Sequence, residues 1–101
     1  MLIKYIKMQF NINICDLIID SKIADIIEYL GYTFPIHLKP RLRIVGTFKL
    51  SEERLKCVLD GLFNDALPPI KITHDGIIVD GRHRVAAYII KKYTTIPAIY
   101  V

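Results

Sequence analysis

The feature that most constrains this chain is an abrupt change of period near its C-terminal end. The apolar run Gly76-Ile77-Ile78-Val79 meets Asp80-Gly81, and from there Val85, Ala86 and Ile89 fall at helical spacing. The first stretch reads as a strand and the second as a helix of about three turns, closed by the cationic pair Lys91-Lys92 at the negative end of its dipole. A glycine between them supplies the φ > 0 conformation that a tight strand-to-helix turn requires. Upstream, Pro68-Pro69 launch a strand from Ile70 to Thr73, and Asp75-Gly76 is a hairpin signal joining it to the run just described. The chain ends on a further strand, Ile96 to Val101.

The N-terminal half extends the pattern. Ile6, Met8, Phe10, Ile12 and Ile14 alternate with Lys7, Gln9, Asn11 and Asn13, which is the period of a strand with one wet face. Asp20 or Ser21 caps a helix whose Ile23, Ile26, Ile27 and Leu30 share one side, and Gly31 stops it. Leu42 to Val45 reads as a short strand. Ser51-Glu52-Glu53 opens a second helix with Leu55, Val58, Leu59 and Leu62 as its buried stripe, ending near Asn64. Strands and helices in this order predict an α+β fold: a small mixed sheet with helices packed on it.

With 101 residues, 52% hydrophobic and 24% charged, the chain supports one core, and residues 1–101 are expected to form a single domain. Cys15 and Cys57 have neither CxxC spacing nor histidines in a metal-ligand pattern, so two reduced, buried thiols and a cytoplasmic, reducing compartment are expected. No apolar run approaches the roughly 20 residues of a bilayer span, and no signal peptide is read at the N-terminus. The formal net charge of +4 leans toward anionic partners without selecting one.

Chemistry concentrates at the glycine turn. The first N–H groups of a helix lack internal partners, and here they are joined by Arg82, His83 and Arg84. A guanidinium fork suits phosphate oxygens, and an imidazole donates from either nitrogen. Arg84 is expected to serve the ligand, with little effect on folding when removed. Gly81 lets backbone approach a ligand, makes the tight turn, or does both. Asp80 either caps the helix or acts as a proton acceptor or Mg²⁺ ligand. Lys39, Arg41 and Arg43 alternate and would share one face of a strand, as a row along a nucleic-acid backbone or as a solvated edge. Asp60, His74 and Asp75 are read as turn and surface groups, and Tyr88, Tyr93 and Tyr100 as packing.

Leu67-Pro68-Pro69-Ile70-Lys71, then Asp80-Gly81-Arg82-His83-Arg84-Val85-Ala86-Ala87-Tyr88, then Thr95-Ile96-Pro97-Ala98 resemble the C-terminal half of the ParB/sulfiredoxin superfamily in order and spacing. The sulfiredoxin nucleotide segment reads G-G-C-H-R-Y-A-A-Y and is followed by T-I-P-A. The ParB branch has G-x-R-R or D-G-H-R-R and a similar I-P-V strand. The resemblance covers about residues 36–101 and leaves 1–35 as an added strand and helix. It implies that His83 and Arg84 contact nucleotide phosphates and that Gly81 precedes the position of the catalytic cysteine, which Arg82 occupies here. Arg54 falls on the lysine that sulfiredoxins use on the preceding helix, while Cys57 and Gly61 stand where they have hydroxyls. Without the thiol, sulfinic acid reduction is not expected.

What the resemblance implies is a ParB-like module that binds a nucleotide (ATP, ADP or CTP) or DNA. No helix-turn-helix or dimerisation segment follows the closing strand in this sequence, so a complete partition protein is not expected. The alternative from another class is a small Mg²⁺-dependent NTP-hydrolysing, phosphotransfer or nuclease enzyme using Asp80, and a third is an inactive interaction domain.

Overall fold

The N-terminal alternation becomes strand β1 (Phe10–Asn13), with Ile12 buried and Asn11 and Asn13 turned to solvent, in a computed structural model that describes residues 8–44, 49–62 and 67–101. The strand is shorter than its pattern. Residues 6 and 7 lie outside the described residues, Met8 is exposed and outside any strand, and Ile14 drops into a 3-10 turn, Ile14–Asp16. Strand β2 (Ile18–Asp20) follows, which the sequence did not announce because three residues abutting a helix are too few to display a period.

Helix α1 (Ser21–Tyr29) buries Ile23 and Ile27, with Ile26 and Leu30 packed at the margin of the core. It stops where expected. Gly31 takes φ +89°, its N–H donates to Glu28 O, and the Tyr32 N–H donates to Ile27 O. Asp20 holds the N-cap position, but its side chain does not cap the helix. After a 3-10 turn at Ile36–Leu38, strand β3 (Arg41–Arg43) pairs in parallel with β2, making β2–α1–β3 a βαβ unit. Its range begins one residue before the expected one, and Val45 lies outside the described residues.

Helix α2 (Glu52–Leu62) begins as its sequence requires, the Ser51 hydroxyl accepting the Arg54 N–H at 3.2 Å. Leu55 is buried and Val58 and Leu59 pack beside it, while the expected end at Asn64 lies outside the described residues. Strands β4 (Ile70–Ile72) and β5 (Ile78–Asp80) form the hairpin. Its turn carries Gly76 at φ +90°, and a Cβ there would strike the Asp16 carbonyl oxygen. Helix α3 (Arg82–Ile90) and strand β6 (Thr95–Tyr100) complete the fold.

The main sheet runs β1-β6-β4-β5, antiparallel, parallel and antiparallel in turn, and the second sheet is β2-β3. The molecule is therefore an α+β fold, with three helices, a mixed four-stranded sheet and a small parallel pair among the described residues. Ile12, Ile70, Ile72, Ile78, Ile96 and Ala98 of the main sheet join one core with Ile23, Ile27 and Leu55. Helix α3 lies at its centre, touching α1, α2 and β4 and burying Val85 through Ile89 consecutively. A helix buried on most sides keeps only a weak amphipathic pattern, and small residues at 86 and 87 permit close approach.

One expectation about packing needs correction. Both cysteines are exposed. Cys15 follows Ile14, which takes the core position in that turn, and Cys57 is two residues, about 200° of helix, from the buried Leu55. Tyr88 is buried and meets Tyr93 edge-on, but Tyr93 and Tyr100 are 47% and 40% exposed. Tyr100 lies at the end of the sheet, stacked on His74 at 4.2 Å and tilted against Phe10. Among the described residues no helix is long and apolar enough to cross a membrane.

Candidate functional site

Strand β5 passes into α3 through Gly81, which has φ +105°. A Cβ at this position would lie 2.7 Å from Ile70 Cγ2 and 3.0 Å from Arg84 Nη2, so both backbone angle and packing require glycine. The Val85 N–H makes the first helical bond, to Gly81 O, and the N–H groups of Arg82, His83 and Arg84 lie ahead of it with no side-chain cap from Gly81. Asp80 stands directly before this turn. It ends β5 with its side chain 60% exposed, and its Oδ2 accepts from Arg84 Nη2 at 3.1 Å.

The three basic residues of the turn, Arg82, His83 and Arg84, point to different tasks. Arg84 Nη1 donates to Pro68 O at 2.8 Å and Pro69 O at 2.9 Å, tying the approach to β4 onto α3. That structural duty, together with 13% side-chain exposure, revises the expectation that Arg84 is dispensable for folding. Arg82 Nε donates to Asp20 Oδ2 at 2.6 Å, and its Nη2 donates to Ile78 O at 3.0 Å. Asp20 is fully buried, and its other oxygen is held by Arg43 Nε at 2.5 Å. One carboxylate thus joins the start of α1, the end of β3 and the start of α3. Sequence reading missed this role because Asp at a helix start is ordinarily a cap. The available signal was its place at the end of the apolar run Leu17-Ile18-Ile19, where a solvated cap is out of character.

His83 turns the other way. Its Nε2 accepts the Ser51 backbone N–H at 3.0 Å, which fixes a neutral imidazole with its proton on Nδ1 and narrows the expected two-nitrogen donation to one. Burial lowers the His83 pKa from its ordinary value, and the Arg54 charge lowers it further. The same hydrogen bond seats the start of α2 against the start of α3. Arg54 is exposed one turn into α2, and among the described residues no hydrogen bond or ion pair engages its guanidinium.

The result is a cleft of about 480 Å³ with Asp80 to Arg84 on one side and Lys49, Leu50 and Arg54 on the other, and with Val58, Leu67 and Pro68 as apolar lining. The structure therefore brings Arg54, Asp80, Gly81, Arg82, His83 and Arg84 together. It does not bring the β3 row to them. Lys39 lies outside the strand in a left-handed conformation, φ 53°, so the three cations do not share a strand face. Arg41 Nη2 is turned onto the Asp16 and Asp75 carbonyls at 2.6 and 3.1 Å, and Arg43 onto Asp20.

Among the described residues no three His, Cys, Asp or Glu side chains gather as metal ligands. One carboxylate beside ligand phosphates is a set that Mg²⁺ accepts. Here, however, Asp80 is already engaged by Arg84, and the other charged side chains lining the cleft are basic, a donor set that does not fit a bound cation. Compared with known proteins, the chain matches no family model, no curated protein and no solved structure.

Proposed function

We propose that the protein is a phosphate-binding module whose ligand, a nucleotide, enters the cleft between the starts of α2 and α3. The observation that carries this reading is the Arg54 guanidinium, without a protein partner among the described residues, lining the same concavity as the start of α3. Lys49 adds positive charge and His83 an Nδ1–H donor, while Arg82 and Arg84, held on Asp20 and Asp80, line the same concavity. A concavity of this volume suits a small ligand. A rigid duplex needs an outward row of cations, and Arg41 and Arg43 are directed at the protein. The resemblance of the 80–88 segment to the ParB/sulfiredoxin pattern supports the same residues and a nucleotide ligand.

The test is calorimetric titration of the protein with ATP, ADP, CTP and a short duplex. Saturable heat with at least one nucleotide and weaker, strongly salt-dependent heat with duplex is the expected result. Tight duplex binding with no nucleotide binding would replace this reading with a DNA-binding one, and no heat with any ligand would remove it.

A further inference from the structure

Strands β5 and β2 meet at a bridge between Ile18 and Ile77, which leaves β1 and β3 as the outer strands of the described residues. The two edges are defended differently. β3 carries Arg41 and Arg43 and follows Pro40 and a left-handed Lys39, features that keep an edge from pairing with another chain. β1 is Phe-Asn-Ile-Asn, with no charge, no proline and no bulge in its register with β6. Its backbone direction follows from the pairing. The Ile14 N–H donates to Thr94 O, so the residues of β1 that bond β6 are those in step with Ile14, namely Ile12 and Phe10. Asn11 stands opposite Pro97, which has no N–H to give, as a non-hydrogen-bonded pair allows. The N–H and C=O of Asn11 and the N–H of Asn13 therefore point away from the sheet, without a partner among the described residues, while the Asn13 C=O turns into the 3-10 turn that it caps.

Space is open along this edge. A hollow of about 400 Å³ is lined by all four residues of β1, with Asp16, Arg41 and His74 beyond them. Side chains alternate between the faces of a strand, so a space that touches four consecutive residues runs along the edge. Asp16 and Arg41 are opposite in charge, and what the edge itself presents is unpaired backbone, whose complement is another strand. The edge is complementary to itself. With two copies antiparallel about an axis at Asn11, each Asn11 exchanges both backbone bonds with its counterpart, and each Asn13 N–H meets the Gln9 carbonyl of the second copy. The side chains then match at every opposed position. Gln9, Asn11 and Asn13 are exposed and in step, so amide meets amide on the outer face, and Phe10 meets Ile12 on the core side, with no like charges opposed. We propose that β1 is a self-association edge, at which two copies of the chain pair antiparallel about a two-fold axis and join their four-stranded sheets into one.

Sedimentation equilibrium of the full chain is expected to show a reversible monomer to dimer transition, and Asn13→Pro decides where the copies meet. Asn13 has φ −71°, in the range that proline fixes, it follows a strand residue, and its N–H makes no bond to β6. Proline therefore fits the fold and removes only an outward donor. The variant's melting temperature in dilute solution should equal that of the wild type, while its dimer should weaken by about tenfold or more, because one hydrogen bond is lost on each side of the axis. Asn13→Ala keeps the N–H and should dimerise within about threefold of the wild type, the scale of a cross-strand side-chain pair. In the wild type, amide exchange at Asn11 should be fast in dilute solution and slow as the protein concentration rises. A monomer at every concentration up to about 1 mM, or a dimer that Asn13→Pro leaves unchanged, would overturn the proposal. So would exchange at Asn11 that does not depend on concentration, a result that decides the matter even if the proline variant folds poorly.

Discussion

The arginines around Gly81 divide into two regions that sequence alone presents as one. At the inner region, Arg82 and Arg43 close on the buried Asp20, and a carboxylate with no solvent exposure is tolerable because both its oxygens are paired. At the outer region, Arg54 faces the cleft without a partner among the described residues, and His83 beside it is kept neutral by burial and by that charge. The inner cations hold α1, β3 and α3 in place, and in the proposed reading the outer ones are left for a ligand. A run of basic letters at a helix start therefore does not reveal which cation is committed to the fold.

The largest expected effect lies at the inner region. Asp20→Asn removes the buried carboxylate charge that Arg43 and Arg82 share, and should destabilise the protein by about 3 kcal/mol, the lower end for a broken buried pair because both arginines keep partial solvent contact. Chemical denaturation measures this, and a change under about 1 kcal/mol would show that the clasp is decorative. Arg84→Ala should come next, at roughly 2 kcal/mol, since it removes charge-assisted bonds to the Pro68 and Pro69 carbonyls and to Asp80. An unchanged denaturation midpoint would return Arg84 to the outer region.

A pH effect follows from His83. Its folded pKa lies below the unfolded value near 6.5, so the native state resists protonation. The associated stability is fully present above about pH 6.5, declines as the pH falls toward the depressed folded value, and levels off below it. Denaturation midpoints of wild type and His83→Gln between pH 8 and 5 test this, because the decline assigned to His83 should be missing from the variant. The smallest effect is predicted for Lys39→Ala. Its side chain belongs to neither region, so stability should move by no more than about 0.5 kcal/mol and nucleotide affinity not at all.

Much of the architecture was legible because long periodic segments announce themselves. The α1 stripe with its Gly31 stop, the Ser51 cap of α2 and the 70–80 hairpin all rest on local rules that the tertiary structure did not override. Strand β2 was not legible, since its three residues are held by pairing to β3 across the whole of α1, a non-local cause. The candidate site was legible as a location, through the Asp80-Gly81 turn. The commitments of its side chains were not, because the partner of Arg82 lies 62 residues away and that of His83 lies 32 residues away on another helix. For Arg41, the parallel register of β3 with β2 and the neighbouring Gly76 turn decide its direction, and neither is written in the alternation of Lys39, Arg41 and Arg43.

The central claim is that the outer cations serve a phosphate ligand while the inner ones serve the fold. Titrating wild type and Arg54→Ala with ATP, beside denaturation curves of both, tests it most directly. The account predicts a fall in affinity of about tenfold or more, the scale of a hydrogen bond to a charged group, with stability unchanged to within about 0.5 kcal/mol. Equal ATP affinity in the two proteins, or an affinity loss matched by loss of the folded state, would contradict it.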